Sequence, residues 1–215
     1  MPNQIDHFMY AVASLDEGIA WAEATFGVAP AYGGEHVGLG TRNALLALGD
    51  TYLEIIAPDP AQSLEGTLGQ RFAQLREGGL VTWAVQGHLA GIAETLKGMD
   101  INTSGPNRTE RKTAEGELLV WELLFPVATP FGPRMPFFID WLACPHPSTT
   151  NPQGGQFMSL AITVEGASDL GRVLNAIDLA VSVHEGEPSL SIDIETTNGV
   201  VTLASTAETS AIAMR

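Results

Sequence analysis

The sequence has little cysteine and no long apolar run. Its 215 residues include one cysteine, Cys144, which cannot form a disulfide within the chain and agrees with a reducing compartment. No apolar run approaches the roughly 20 residues that a membrane helix needs. The first residues, MPNQIDHFMY, lack the basic segment and apolar stretch of a secretion signal. We therefore expect a cytoplasmic protein without a membrane partner.

Positive charge is also scarce. Ten lysines and arginines stand against 25 acidic residues, which gives a formal net charge of -15. Such a surface repels phosphate backbones and anionic membranes, so nucleic acid is excluded as a partner, and the charge favours solubility. The hydrophobic fraction of 45% is that of an ordinary globular protein with room for one large domain or two small ones.

Two apolar, strand-forming stretches each carry one carboxylate in their middle. Strand alternation places Glu54 of TYLEIIAPDP on a face with Tyr52 and Ile56. In MPFFIDWLACPHP it places Asp140 on a face with Phe138. An ionised carboxylate among apolar neighbours costs free energy unless it is paired or binds a metal, so both acids need a partner. The recurrence of this pattern indicates a duplication.

The order of the predicted elements supports the duplication. The N-terminal part predicts a strand, a helix between the cap residue Ser14 and the terminator Gly27, and three further strands. The same order recurs in the next part of the chain, and a shorter unit follows a linker rich in Pro, Gly and Ser. We predict an α+β fold: two paired strand-helix-three-strand (βαβββ) modules around a cleft in residues 1–148, and a third smaller module in residues 149–215.

The segments IDHFMYAV, GGEHVGLGTRNALLALGDTYLEIIAPDP and PFFIDWLACPHPS resemble the vicinal-oxygen-chelate superfamily, and within it the glyoxalase-like domains. The resemblance covers residues 5–148 and extends to the third unit only in its element order. It implies a divalent metal, such as Zn, Ni, Mn or Fe, held by the first and last strands of both modules. Position by position, it implies His7, Glu54 and Asp140 as metal ligands and puts Thr82, a poor ligand, at the fourth place.

Two other interpretations need no metal. In one, Glu54 and Asp140 line a metal-free polar pocket. In the other, both acids have a structural role and accept hydrogen bonds from the backbone, from Thr82 or His7, or from an arginine. Each of the three interpretations gives the buried carboxylates a partner, and the sequence alone does not decide among them.

Further residues are candidates for the pocket. His36 lies in a glycine-rich loop, either as an acid, base or anion contact or as a loop histidine with local hydrogen bonds. Strand alternation directs Asn43 inward. Arg111 belongs to a dense basic group on a hairpin, where it either stays solvated or reaches an anionic substrate. Trp141 either packs in the core or forms the floor of the pocket, and His146 is expected on the surface.

These features favour an enzyme that acts on a small oxygen-containing molecule in the cleft. The residues assigned to it are Glu54 and His36 for catalysis and, for substrate binding, Asn43, Thr82, Arg111 and Trp141. Isomerase, lyase and dioxygenase chemistry all fit such a fold. The alternative is a metal-free protein that binds or sequesters a small apolar or aromatic ligand. We also expect a homodimer, because an unpaired third module leaves a sheet surface to cover.

Overall fold

The computed structural model describes the backbone of residues 3–112 and 118–214, and their side chains except those of residues 111 and 112. The first module consists of β1 (Gln4–Ala11), α1 (Leu15–Phe26), β2 (Ala31–His36), β3 (Thr41–Leu48) and β4 (Thr51–Pro58). A short helix α2 (Leu68–Phe72) leads to the second module: β5 (Gly79–Gln86), α3 (Leu89–Lys97), β6 (Thr103–Lys112), β7 (Leu118–Pro126) and β8 (Phe137–Asp140). The third consists of β9 (Gln156–Val164), α4 (Ala167–Ala176), β10 (Ser182–Glu185), β11 (Ser189–Thr196) and β12 (Gly199–Ala204), and α5 (Ala207–Ser210) follows.

The predicted α+β class with paired βαβββ modules is confirmed. The two modules lie side by side in one eight-stranded sheet of order β2-β3-β4-β1-β5-β8-β7-β6. Within each module the first strand runs parallel to the last, β1 with β4 and β5 with β8, and the antiparallel pair of β1 and β5 joins the modules. The first and last strands of both modules therefore meet in the middle of the sheet.

The helix α1 begins and ends where the sequence predicts. The Ser14 side chain accepts a hydrogen bond from the Glu17 backbone N–H, and Gly27 adopts a left-handed conformation with φ of 76°. The apolar residues Leu15, Ala22 and Phe26 of the helix are buried. This stripe holds α1 against the sheet that carries β1 and β4.

One face of the large sheet forms the main core together with α1, α3 and the third module. This core includes, from the sheet, Phe8, Leu53, Trp83 and Phe138, and from the third module Ile162 and Ile192. The third module forms a separate four-stranded sheet of order β10-β9-β11-β12, and its apolar face lies within this same core. The surface that motivated the homodimer is thus covered within the chain. The oligomeric state and the boundary at residue 148 stay predictions.

No helix in residues 3–112 and 118–214 is both long and apolar enough to cross a membrane. The longest one, α1, has 12 residues and is buried on one side only.

Gly69 lies where α2 meets the loop between β2 and β3. Its backbone N–H donates to the Leu39 carbonyl oxygen, and a Cβ at residue 69 would overlap the carbonyl oxygen of Gly40. Gly69→Ala is therefore expected to lower the free energy of unfolding by about 1–3 kcal/mol, since a backbone atom has little room to move. The matched control is Gly171→Ala in α4, where a Cβ meets nothing within 4 Å. There we expect a neutral or slightly stabilising effect, and equal unfolding midpoints of the two variants in urea would contradict the packing described.

Candidate functional site

Glu54 lies in the middle of β4 and is 6% exposed. Its Oε1 accepts a hydrogen bond of 2.7 Å from the side-chain amide of Asn43 on β3. Its Oε2 lies 3.4 Å from Nε2 of His7 on β1. Because β4 is hydrogen-bonded to β3 on one side and to β1 on the other, the two partners reach the carboxylate from neighbouring strands. The buried acid is thus paired with polar side chains on the sheet itself.

His36, at the end of β2, is the most accessible member of this group. Its Nε2 lies 3.3 Å from Asn43 Nδ2 and 3.6 Å from Glu54 Oε1, while its Nδ1 lies 2.9 Å from Thr41 Oγ1. The His36 side chain is 24% exposed, whereas those of His7 and Glu54 are buried. A molecule that approaches from solvent therefore reaches His36 before it reaches Glu54.

Asp6 and His146 also belong to this group, although the sequence does not predict them there. Asp6 is 0% exposed, and its Oδ1 lies 2.6 Å from His7 Nδ1. Its Oδ2 lies 3.0 Å from His146 Nε2 and accepts a hydrogen bond of 2.9 Å from Trp141 Nε1. His146 was expected on the surface, but only 15% of its side chain is exposed.

A β-bulge explains why strand alternation misses Asp6. Alternation directs Asp6 and His7 to opposite faces, yet the pairing of β1 with β5 is irregular between Ile5 and His7, where β1 contains one extra residue. A bulge redirects the side chain of the extra residue, so both side chains come together. The available signal is an acid directly before a histidine in an otherwise apolar strand.

Asp6 is ionised in the folded protein. Burial by itself would raise the pKa of Asp6, but the hydrogen bonds from His146 and His7 and the charges of these rings outweigh it. The net effect lowers the pKa from 3.8 to about 2. Asp6 is therefore a negatively charged hydrogen-bond acceptor at neutral pH.

Aromatic side chains enclose this group of polar residues. Tyr52 stacks on the His7 ring at 4.6 Å between centroids, and Phe137 contacts the same ring edge-on at 5.4 Å. His146 contacts both Tyr52 and Trp141 edge-on. The rings therefore pack against His7 and His146, and His36 is the more exposed side of the group.

The family described as Glyoxalase-like domain matches residues 5–177 of the sequence. This chain belongs to the glyoxalase-like domain family. The predicted resemblance to the vicinal-oxygen-chelate superfamily is thereby confirmed. Comparison of the sequence with curated proteins finds no match.

Two solved structures show the same fold as this glyoxalase-like protein. A crystal structure of a hypothetical protein from Staphylococcus aureus matches over 94% of this chain and 85% of its own, with 18% identity and a TM-score of 0.65. The methylmalonyl-CoA epimerase from Streptomyces coelicolor, in complex with 2-nitronate-propionyl-CoA, matches over 66% of this chain and 97% of its own, with 17% identity and a TM-score of 0.50. At these identities the likeness concerns the fold alone.

The three metal ligands that the resemblance implies do not come together in this glyoxalase-like protein. His7 and Glu54 are neighbours, but Asp140 ends β8 on the face of Phe138, and its Oδ1 accepts a hydrogen bond of 2.8 Å from the Leu142 backbone N–H. In the part of the chain that the structure describes, no group of three or more His, Cys, Asp or Glu side chains could hold a metal ion. The residues present thus do not fit the implied ion, and the chemistry of the site is derived from its own side chains.

The fourth implied metal place and the other predicted contacts lie in different surroundings. In β5 the residue paired with His7 is Ala84, whereas Thr82 is buried and donates a hydrogen bond of 3.1 Å to the Pro133 carbonyl oxygen. Arg111 pairs with a residue of β7 in the strand register, and its side chain lies outside the described part of the chain. The roles of Thr82, Arg111 and Trp141 as substrate contacts stay predictions.

Proposed function

We propose that this protein is an enzyme that moves a proton on a small oxygen-containing molecule, with Glu54 as the base. The observation that carries the proposal is the setting of this buried carboxylate, whose Oε1 is held by Asn43 and whose Oε2 lies 3.4 Å from the His7 ring. Hydrogen bonds of the N–H···O type are usually about 2.7–3.2 Å long. The Oε2 atom therefore keeps the capacity to accept a proton from a ligand.

The chemistry that suits these residues is proton abstraction from a carbon next to a carbonyl group. Glu54 takes the proton while the Asn43 amide keeps the carboxylate in place. His36, which lies 3.6 Å from Glu54 Oε1 and is partly exposed, passes protons between the carboxylate and solvent. Return of a proton to a neighbouring carbon, or to the opposite face of the same carbon, gives an isomer, so we favour isomerisation over lyase and dioxygenase chemistry.

A second candidate function is the binding of a small apolar or aromatic ligand without catalysis. The observation that favours it is the set of rings around the polar group, with Tyr52 and Phe137 on His7 and Trp141 on His146. Such walls stabilise an aromatic ligand by burial and ring stacking. In that case Asn43 and Glu54 would orient the ligand by hydrogen bonds and no proton would leave it.

The test is solvent hydrogen exchange on a defined panel of 2-hydroxy ketones, 2-oxo acids and branched acyl thioesters. Each compound is incubated with the protein in deuterium oxide, and deuterium on carbon is measured by mass spectrometry, while binding is measured by the shift of the melting temperature. Exchange above the uncatalysed rate, for a compound that also raises the melting temperature, supports the enzyme. Binding without exchange for every compound would overturn it in favour of the binding protein.

The same assay tests the implied metal. The protein is assayed after treatment with a chelator and after reconstitution with Zn, Ni, Mn or Fe, and metal content is measured by mass spectrometry. We expect exchange that is insensitive to the chelator, since the described carboxylates and histidines form no metal-binding group. Exchange that appears only with near-stoichiometric metal would contradict the conclusion that the residues of this site do not fit the implied ion.

A further inference from the structure

We infer that Asp6 is a positioning residue of this site, which acts through His7 and determines which atom of that ring faces Glu54. The inference rests on the proposed function, in which Glu54 is the base. Three donors converge on the Asp6 carboxylate: the rings of His7 and His146, at 2.6 Å and 3.0 Å, and the indole N–H of Trp141, at 2.9 Å. A buried carboxylate with three close donors has a fixed orientation.

The contacts of His146 determine which of its ring nitrogens carries the proton. His146 Nδ1 lies 2.8 Å from the Ser148 hydroxyl oxygen and 3.2 Å from the Ser148 backbone nitrogen. Because the backbone N–H can only donate, Nδ1 is an acceptor, and the hydroxyl donates to it as well. The proton of the neutral ring is therefore on Nε2, which donates to Asp6 Oδ2. Ser148 and His146 both follow β8. The hydrogen bond from His146 to Asp6 therefore connects the end of the second module to β1.

The same logic defines the orientation of His7. Because the ionised Asp6 only accepts hydrogen bonds, His7 Nδ1 must carry the proton that lies between them. Nε2 is then the ring atom that faces Glu54 Oε2, and the stacking of Tyr52 on the ring keeps it in this plane. Without Asp6 the His7 ring loses the group that selects this orientation, although its other neighbours remain.

This arrangement joins the two modules at the site. Asp6 and His7 come from the first strand, whereas Trp141 and His146 come from the segment after the last strand of the second module. Both sets of side chains meet at Asp6, which directly precedes His7 in the chain, and the His7 ring contacts Glu54. A change at Asp6 is therefore expected to affect the placement of the base without a direct contact between Asp6 and the substrate.

The test in the wild-type protein is nitrogen-15 NMR of the imidazole rings, with long-range proton–nitrogen correlations. The chain has five histidines, so the signals can be assigned by single His→Gln variants. We expect a protonated Nδ1 on His7, with a strongly hydrogen-bonded proton, and a protonated Nε2 with an unprotonated Nδ1 on His146. A His7 ring whose Nδ1 carries no proton would overturn the inference, whatever the enzyme activity.

The variant test is Asp6→Asn, with Asp193→Asn on β11 as the matched control. Asp193 also accepts two side-chain hydrogen bonds, from Ser159 and Thr202, but it lies in the sheet of the third module. For Asp6→Asn we expect loss of the hydrogen-bonded His7 proton and a fall in kcat for exchange of about 100-fold, because a small misplacement of a catalytic group has this effect. We expect KM to change little and the control to match the wild type.

The outcomes separate the inference from the function on which it rests. No exchange by the wild type, together with the expected His7 signals, would overturn the proposed function and leave the positioning in place. Unchanged His7 signals and unchanged kcat in Asp6→Asn would overturn the positioning alone. If Asp6→Asn does not fold, the test uses His146→Asn, which removes a single donor from Asp6. A His7 spectrum and a kcat equal to those of the wild type in this variant would contradict the coupling of the two modules through Asp6.

Discussion

Glu54→Gln is expected to slow hydrogen exchange on the carbon of the substrate by about 10²- to 10⁴-fold, the usual contribution of a general base. Glutamine has nearly the shape of glutamate, and its amide oxygen can still accept the hydrogen bond that Asn43 donates to Oε1. It cannot take a proton from carbon. We therefore expect substrate binding, measured by the shift of the melting temperature, to change far less than the exchange rate.

Glu35→Gln is the matched control for this variant. Glu35 lies next to His36 on β2, is exposed, and accepts a hydrogen bond of 3.1 Å from the Tyr32 hydroxyl. The Glu35→Gln variant therefore removes one negative charge near the site and keeps the base, Glu54. We expect exchange close to that of the wild type. Exchange at the wild-type rate in Glu54→Gln would show that another group removes the proton, and an equal loss in both variants would indicate a general effect of charge.

Asp6→Ala is expected to lower the free energy of unfolding by about 3–5 kcal/mol at neutral pH, because each buried donor left without an acceptor costs about 1–3 kcal/mol. The variant leaves the buried donors of His7, His146 and Trp141 without their acceptor. The measurement is equilibrium unfolding in urea followed by tryptophan fluorescence and by circular dichroism. The control Asp193→Ala removes a carboxylate that lies nearer the surface, and we expect a loss of about 1 kcal/mol or less.

The effect of Asp6 on stability also depends on pH. Since folding lowers the pKa of Asp6 from 3.8 to about 2, its ionised form stabilises the folded state above pH 3.8. This contribution, about 2 kcal/mol, decreases as the pH falls towards the pKa of the folded state, and roughly half of it is lost at about pH 3. The difference between wild type and Asp6→Ala is thus expected to shrink between pH 6 and pH 3. A constant difference over this range would contradict the ionised state of Asp6 in the fold.

The sequence predicts the fold well because its strongest signals are local. The cap residue Ser14 and the terminator Gly27 define α1, and the regular order of strands and helix recurs in both modules. Strand alternation also places Glu54 correctly among inward-facing side chains, with Asn43 on the adjacent strand. These features depend on neighbouring residues in the chain, which a single sequence displays.

The parts that the sequence does not predict depend on pairing between distant segments. The bulge at Asp6 arises from the register of β1 against β5, which an acid directly before a histidine does not by itself predict. His146 reads as a surface residue, yet its segment folds back onto β1 and brings it to Asp6. Asp140 resembles Glu54 in its sequence setting, but the register of its strand leaves it outside the group around Glu54.

The most direct test of the site is to follow the five histidine side chains by NMR while a compound that undergoes exchange is added. The rings of His7 and His36 lie within 3.6 Å of Glu54, whereas His88 caps α3 and His184 lies on β10 of the third module. We expect the signals of His7 and His36 to shift with ligand concentration and those of His88 and His184 to stay constant. Shifts confined to His88 or His184 while the compound exchanges deuterium would show that the reaction occurs elsewhere in the molecule.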